Sequence, residues 1–420
     1  DGLYASRFVL FHSRYSTNTT TAWRRAQPFW GIAHNGEIAT IRGNVAWMHA
    51  IGRDLVKRLV ARHPRLDRIA GRVRPSVCGG GSDSANLDDM VIALNAGGMS
   101  LIEALLALLP ESPKAIGKDS VLREFHEAMS VLLGACDGPA AVVACDGDEA
   151  VAHLDRNALR PLWLTTTRDY AVAASELTGT LDLGEIEMQR LLGPGETAVV
   201  KLGSGEVLLN DEVHRVVARQ RFRTPGTAIT GQEVAAPPAP EGDALRRLQI
   251  AFGMTKEDRE ILLEPLMANG KAAVGSLGAD TAPAAMLDTF PRRLEDHFKL
   301  RFAQETSPPI DPIRDAWVFE TRVALGDRSG LWNDAPGAHH VFEDRVLSAG
   351  QLAWLLAQDG VAKVELLFPV ALGPRGLENA LGEAVARALL AAHDARVIVL
   401  SDRGVTRERA AIPGMRAVGR

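Results

Sequence analysis

The feature that most constrains this fold lies mid-chain, between Arg223 and Gly242. There a Thr-Pro-Gly turn is followed by Ala-Ala-Pro-Pro-Ala-Pro-Glu-Gly. Proline donates no backbone hydrogen bond and fixes φ, so such a run is excluded from helix interiors and central strands. It reads as a linker, and the chain has different textures on its two sides. Upstream, helical segments give way to many short strands separated by turn residues. Downstream, strand and helix alternate. The 420 residues leave room for two or three domains with substantial cores. The expected organisation is a first domain over 1–222, a Pro/Ala-rich linker over 223–243, and a second domain over 244–420 that is incomplete at its C-terminal end.

Composition excludes more than it assigns. With 46% hydrophobic and 24% charged residues, this is the balance of an ordinary globular chain. A net charge of -5, with arginines scattered rather than striped, gives no reason to expect nucleic acid or an anionic membrane. No apolar stretch is long enough to cross a bilayer, and Asp1 does not open a signal peptide. Cys78, Cys136 and Cys145 have no metal-ligand spacing and cannot form a disulfide framework. They read as small buried apolar residues in a reducing cytoplasm.

Periodicity predicts strands over Arg7–Phe11, Trp30–Ala33 and Glu37–Ile41, the last two flanking Asn35-Gly36. Helical spacing covers about Val45–Arg62, Ala85–Leu94, Leu101–Leu109 and Leu122–Leu133. Short strands follow at Ala140–Cys145, Ala150–Asp155, Trp163–Thr166, Ala171–Ala174, Thr197–Lys201 and Glu206–Leu209. Helices stacked on such strands predict a layered α+β domain. Beyond the linker, helices are expected at Leu245–Phe252 and Lys256–Met267. A strand at Val364–Val370, a helix at Leu377–His393 and a strand at Ala395–Leu400 then make a βαβ signature.

Candidate chemistry gathers near the start, in His12 to Thr19 and Ala33 to Ile38. Asn-Gly between apolar runs is a hairpin signal, and alone it is a turn. A bend that projects the Asn35 amide and the Gly36 N–H together can also bind a developing oxyanion. Arg14 presents a planar fork suited to a carboxylate, or else is a solvated or ion-paired residue. Asp83, behind Gly79-Gly80-Gly81, can hold an ammonium group or cap a helix starting near Ala85. Gly79–Ser84 also resembles the phosphate loop of ATP pyrophosphatases, although Gly79 replaces the first serine and Pro75 sits where a strand should run. Gly275–Gly278 is a weak dinucleotide loop, and His339-His340 lacks zinc spacing.

Several motifs, in collinear order, resemble one family, the large (alpha) subunit of glutamate synthase. They are His12–Thr19, His34–Met48, Gly81–Asp88, Asp155–Pro161, Ala174-Ser175-Glu176 and Gly193–Glu196. The resemblance continues through Phe252–Thr255, Val274–Thr281, Arg301–Arg314 and Ser401–Gly404. It implies a class II glutamine amidotransferase domain of the Ntn-hydrolase type, layered αββα, followed by an α/β central domain.

In that resemblance Arg14 binds the α-carboxylate of glutamine, Asp83 its α-ammonium, and Asn35 with Gly36 forms the oxyanion hole. Ammonia would pass through a tunnel to a flavin site, where 2-oxoglutarate is converted to glutamate. FMN, an iron–sulfur cluster and a small-subunit electron-donor partner are expected of the full-length family member, and no cofactor or metal within these residues. The electron donor, whether NADPH, NADH or ferredoxin, and the oligomeric state stay open. The family's nucleophile is a cysteine at the mature N-terminus, activated by its own α-amine. Residue 1 here is Asp, so the chain as given is expected to be inactive. The other readings are a catalytically dead short relative serving as a scaffold or glutamine-binding module, and an asparagine synthetase-like amidotransferase with an ATP loop at Gly79.

Overall fold

The structure, a computed structural model, describes residues 5–15, 20–69, 81–111, 120–177, 183–219, 226–270, 321–327, 331 and 337–420. The chain divides into two compact units, Asp1–Ala228 with Asp327–His339, and Ile229–Gly326 with His340–Arg420.

In the first unit, β1 (Ile32–Gly36) leads into the helices α1 (Ile41–Arg62), α2 (Asp83–Gly97), α3 (Leu101–Leu108) and α4 (Ser120–Leu132). The strands β2 (Ala140–Cys145), β3 (Glu149–Leu154), β4 (Trp163–Thr167), β5 (Ala171–Ala174), β6 (Ile186–Leu191), β7 (Thr197–Lys201) and β8 (Val207–Leu208) follow, then α5 (Asn210–Arg219). One sheet has the order β1-β2-β3-β7-β8, with antiparallel pairing throughout, and a second the order β5-β4-β6.

Period-two alternation sorts the first sheet's side chains into two cores. Ile32, Val142, Ala144 and Val199 pack with Leu55, Leu87, Leu94 and Leu105 from the helices. From the opposite face, Ala141, Ala152 and Ala198 meet Leu162, Leu164 and Leu192 beside the second sheet. Every residue of α3 is buried, as an all-round apolar helix requires, and a Ser100–Glu103 capping box starts it. Alanines on the inner face leave space between the sheets, a cleft of about 1490 Å³. Helices, first sheet and second sheet thus stack as α, β and β layers.

Several local expectations need correction. Arg7–Phe11 forms no strand; it runs along the cleft with no ladder partner among the described residues. Glu37–Ile41 is not a strand either, because Ile41 already opens α1. β6 and α5 went unpredicted. The β6 sequence, Ile-Glu-Met-Gln-Arg-Leu, is half exposed and lacks the β-branched content that marks a strand.

The second unit contains β9 (Ala228–Thr230), α6 (Gly242–Ala251), α7 (Glu264–Asn269), β10 (Val323–Gly326), β11 (His339–Phe342) and α8 (Ala349–Leu356). The strands pair in the order β10-β11-β9. Residues 232–241, within the expected linker, are exposed and without regular structure. Next come β12 (Val361–Glu365), β13 (Leu367–Pro369), α9 (Gly373–Ala391), β14 (Val397–Ser401), β15 (Arg409–Ala411) and α10 (Gly414–Val418). β12 and β14 are parallel, from Val361↔Val397 to Glu365↔Ser401, with α9 connecting them: the expected βαβ unit.

The single strand expected over Val364–Val370 is two. At Leu366 the N–H bonds to the Ser401 carbonyl while the carbonyl accepts from Ile412 N–H. The chain therefore changes partners there, and β13 pairs antiparallel with β15. The motif segments Val274–Thr281 and Arg301–Arg314 lie outside the described residues, as do Thr17–Thr19 and Cys78.

Candidate active site

The site is built on the last turn of pleat in β1. Its register with β2 sets His34 opposite Val142, Asn35 opposite Ala141 and Gly36 opposite Ala140. The bonded pairs are the odd ones: Cys145 N–H donates to the Gly31 carbonyl at 2.9 Å, and Glu37 N–H to the Pro139 carbonyl at 2.9 Å. Gly36 therefore belongs to a non-bonded pair, and its N–H leaves the ladder on the side away from β2. Ala140 agrees with this, since its N–H and carbonyl both bond to Asp155.

Side chains already occupy the rest of that edge. Asp88 accepts the N–H groups of Trp30, Gly31 and Ile32 at 3.1, 2.9 and 2.9 Å. Gln27 accepts from His34 N–H at 2.7 Å and donates to its carbonyl at 3.0 Å. Gly36 N–H is the next donor along, and among the described residues nothing takes it. Alternation sends Ala33 and Asn35 into the cleft, while Ile32 and His34 face the helices.

Asn35-Gly36 is therefore not the hairpin turn that the dipeptide suggests. Three long-range bonds keep the chain straight past it: Glu37 N–H to Pro139, Ile38 N–H to Asp83 Oδ2 at 2.8 Å, and Ala39 N–H to the Asp137 carbonyl at 2.8 Å. The glycine is required by contact rather than by φ. A Cβ at position 36 would lie 1.8 Å from the Pro139 oxygen and 2.8 Å from His34 Nε2.

Arg14 lines the same cleft as Asn35. It is exposed, its backbone N–H donates to His12 Nδ1 at 3.1 Å, and its guanidinium has no ion-pair partner among the described residues. Asp83 stands apart from that cleft lining, at the helix side of the β1 end. It does not cap α2: Ser82 does, accepting from Ala85 N–H at 3.1 Å, and Asp83 is the first helical residue. Gly79 and Gly80 of the candidate ATP loop lie outside the described residues.

Neither described cysteine is built as a nucleophile. Cys136 precedes β2 in an irregular segment. Burial and the neighbouring Asp137 push its thiol well above the ordinary range. Cys145 ends β2, and burial raises its thiol too. Four structural residues escaped the sequence reading as such. Asp88 and Gln27 clamp β1, and Asp155 with Arg156 holds the segment that faces Gly36. Asp88 and Asp155 were visible only as members of motifs.

Residues 1–224 match the family model of the class II glutamine amidotransferases. The chain belongs to that family, in its glutamate synthase branch. Residues 247–420 match the glutamate synthase central domain. Ferredoxin-dependent glutamate synthase 2, chloroplastic, of Arabidopsis thaliana is 35% identical over 439 residues, 99% of this chain and 26% of that protein. The Synechocystis ferredoxin-dependent glutamate synthase 2 is 34% identical, over 99% of this chain and 28% of that protein. The NADPH glutamate synthase large chain of Azospirillum brasilense is 31% identical, over 100% of this chain and 28% of that protein. The chain thus spans about a quarter of the length of these glutamate synthases. Most of the layered first unit falls within the class II amidotransferase match, and most of the second unit within the central-domain match.

Proposed function

We propose that the first unit is the glutamine-binding and ammonia-releasing part of a glutamate synthase, organised as 1–222, a 223–243 linker and a 244–420 central domain. The observation that carries this is the unspent Gly36 N–H beside an Asn35 side chain that enters the cleft lined by Arg14. Arg14 clamps the α-carboxylate of glutamine, and Asp83 takes its α-ammonium through the carboxylate oxygen not bonded to Ile38. Attack of a thiolate on the side-chain carbonyl carbon drives negative charge onto the amide oxygen. The Asn35 amide and the Gly36 N–H are fixed donors for that charge and need no reorganisation as it forms. The C–N bond breaks, ammonia leaves with a proton, and water releases glutamate from the thioester.

The nucleophile in this reading is the cysteine at the mature N-terminus that the family implies, since Cys136 and Cys145 are buried and protonated. In the whole protein the ammonia meets 2-oxoglutarate at a flavin site supplied with electrons through an iron–sulfur cluster. Such a cluster is held by Cys thiolates, and Cys136 and Cys145 do not fit one: each is buried as a free thiol that burial keeps protonated. The glutamine half-reaction needs neither group. An electron-donor small subunit and a cytoplasmic setting belong to the same proposal; no described helix is long and apolar enough to cross a membrane.

Calorimetric titration with L-glutamine tests the site. Arg14→Lys should weaken binding about tenfold or more, roughly 1.4 kcal/mol, because an ammonium cannot reproduce a bidentate fork. Unchanged affinity in Arg14→Lys and Asp83→Asn would remove both residues from the site.

A further inference from the structure

None of these roles uses His34, yet it sits between the two halves of the site. Its side chain is 2% exposed and points away from the cleft. Nδ1 lies 2.8 Å from Ser84 Oγ, and that hydroxyl is 3.5 Å from Asp83 Oδ1. Nε2 is buried and makes no well-formed hydrogen bond among the described residues. It abuts Gly36, within 2.8 Å of where a Cβ would stand, and faces the Pro139 carbonyl. One ring nitrogen thus touches the Ser84–Asp83 start of α2, and the other the backbone that presents the oxyanion donor.

We propose that His34 is a positioning residue for glutamine, an imidazole spacer that sets Asp83 relative to the Asn35–Gly36 end of β1 and so confers preference for a ligand bearing an α-ammonium. The inference rests on the glutamine reading above and names the part of the ligand it governs.

The tautomer follows from the surroundings. A hydrogen on Nε2 faces the Pro139 carbonyl favourably, whereas a bare lone pair there would oppose it. Nδ1 then accepts from the Ser84 hydroxyl, which leaves Asp83 Oδ1 without its nearest neighbouring donor and available to an incoming ammonium. Charge matters equally. Burial lowers the imidazole pKa to about 4, against the upward pull of Asp83 and the Pro139 carbonyl, and with further lowering from His12 and Arg160. A neutral ring does not compete with the ligand ammonium for Asp83, as an imidazolium would.

The test is a pair of calorimetric titrations on the protein as its gene encodes it, with L-glutamine and with 4-carbamoylbutanoate, which keeps the carboxylate and amide but lacks the amine. His34→Leu and Ser84→Ala should each cut the glutamine preference at least fivefold while leaving 4-carbamoylbutanoate affinity within about twofold. The double variant should be no worse than either alone, because both residues act through one contact. His34→Asn, whose amide reaches Ser84 as Nδ1 does, should restore most of the preference.

Equal weakening of both ligands, or an unchanged ratio, overturns the role of His34 and leaves the glutamine reading standing. Failure of the native protein to bind glutamine overturns that reading itself. Should His34→Leu not fold, Ser84→Ala carries the comparison. Nitrogen-15 spectra of the native imidazole should show the Nε2–H neutral form at pH 7; an Nδ1–H form or an imidazolium would overturn the proposal independently of any ligand.

Discussion

The same substitution at two glycines seven residues apart should have opposite effects. At Gly36 the added methyl would stand 1.8 Å from the Pro139 oxygen and 2.7 Å from its carbonyl carbon. Carbon contacts settle at about 3.5–4.0 Å, so β1 and the 137–140 segment must separate by roughly 1.5 Å. The obstacle is backbone and cannot rotate aside. That separation strains two bonds at once: Glu37 N–H to Pro139 and Ala39 N–H to Asp137. Two such bonds lost are worth about 1–3 kcal/mol net, and residual overpacking adds about 1–3 kcal/mol. Gly36→Ala should therefore cost about 2–6 kcal/mol. At Gly43, in the first turn of α1, a Cβ meets nothing within 4 Å. Gly43→Ala should gain about 0.5 kcal/mol from reduced backbone entropy. Urea titration read through amide exchange of β2 reports the first unit alone, and equal m values keep the comparison on stability. A Gly36→Ala protein within about 1 kcal/mol of Gly43→Ala would refute the contact geometry at the β1 end.

Ala158 has a φ of 50°, in the left-handed region that costs an L-residue about 1–2 kcal/mol, so Ala158→Gly should stabilise the first unit by about 0.5–1 kcal/mol net of glycine entropy and raise its melting temperature; a lowered melting temperature would contradict this. His34, His126 and His153 are each lowered to about 4 by burial, and below their ordinary 6.5 the unfolded chain binds protons that the folded chain refuses. Stability should therefore be complete above pH 6.5 and fall as pH drops toward 4, with a slope steeper than the roughly 1.4 kcal/mol per pH unit of one histidine. Asp88, Glu111 and Asp155, raised by burial, tilt the curve the other way just above their ordinary range. A flat urea-midpoint profile between pH 5 and 6.5 would count against neutral burial of these rings. Cys136 and Cys145, both raised, should resist iodoacetamide in the native protein at pH 7.5, as judged by mass spectrometry; rapid labelling of Cys136 would disprove its burial.

What could be read from the sequence was mostly what is periodic. The strands Ala140–Cys145, Ala171–Ala174 and Thr197–Lys201 appear with the bounds expected, because each is a short apolar run between turn residues. The helices α1 and α2 also lie where helical spacing put them, each starting a little earlier. Failures arose where a distant residue decides the local geometry. Asn35-Gly36 has the chemistry of a tight turn, but Asp83, from 45 positions away, holds Ile38 and denies the chain its bend. Asp88 and Gln27 stand in for a neighbouring strand along the edge of β1, and no local pattern shows that a carboxylate or an amide will do so. Arg14 and Asn35 were singled out by residue type, and the fold brings them to one cleft. His34, the residue between them and Asp83, carried no signal beyond membership of a motif, since an isolated histidine in an apolar run is equally a satisfied core residue.

The Asp155–Pro161 motif shows why family hallmarks need not touch substrate. Asp155 accepts from Ala140 N–H at 2.9 Å and from Asn157 N–H at 2.9 Å, while its own N–H returns to the Ala140 carbonyl. Next to it Arg156 pairs with Asp137 at 3.2 Å, both side chains nearly buried. Ala140 is the register partner of Gly36, and the Asp137 carbonyl receives Ala39 N–H. The motif therefore grips both ends of the segment on which the Asn35–Gly36 geometry rests. Gly138, at φ 141°, lets that segment turn between the two grips, and a Cβ there would strike the Glu37 carbonyl at 1.9 Å. An oxyanion donor acts only if it is already in place when charge develops, and a misplacement of about 1 Å costs orders of magnitude in rate. Removing Arg156 would break that nearly buried ion pair on the segment that faces the Gly36 N–H. In the proposed site, a hallmark two strands away is thus tied to the oxyanion hole through the backbone position of a single glycine.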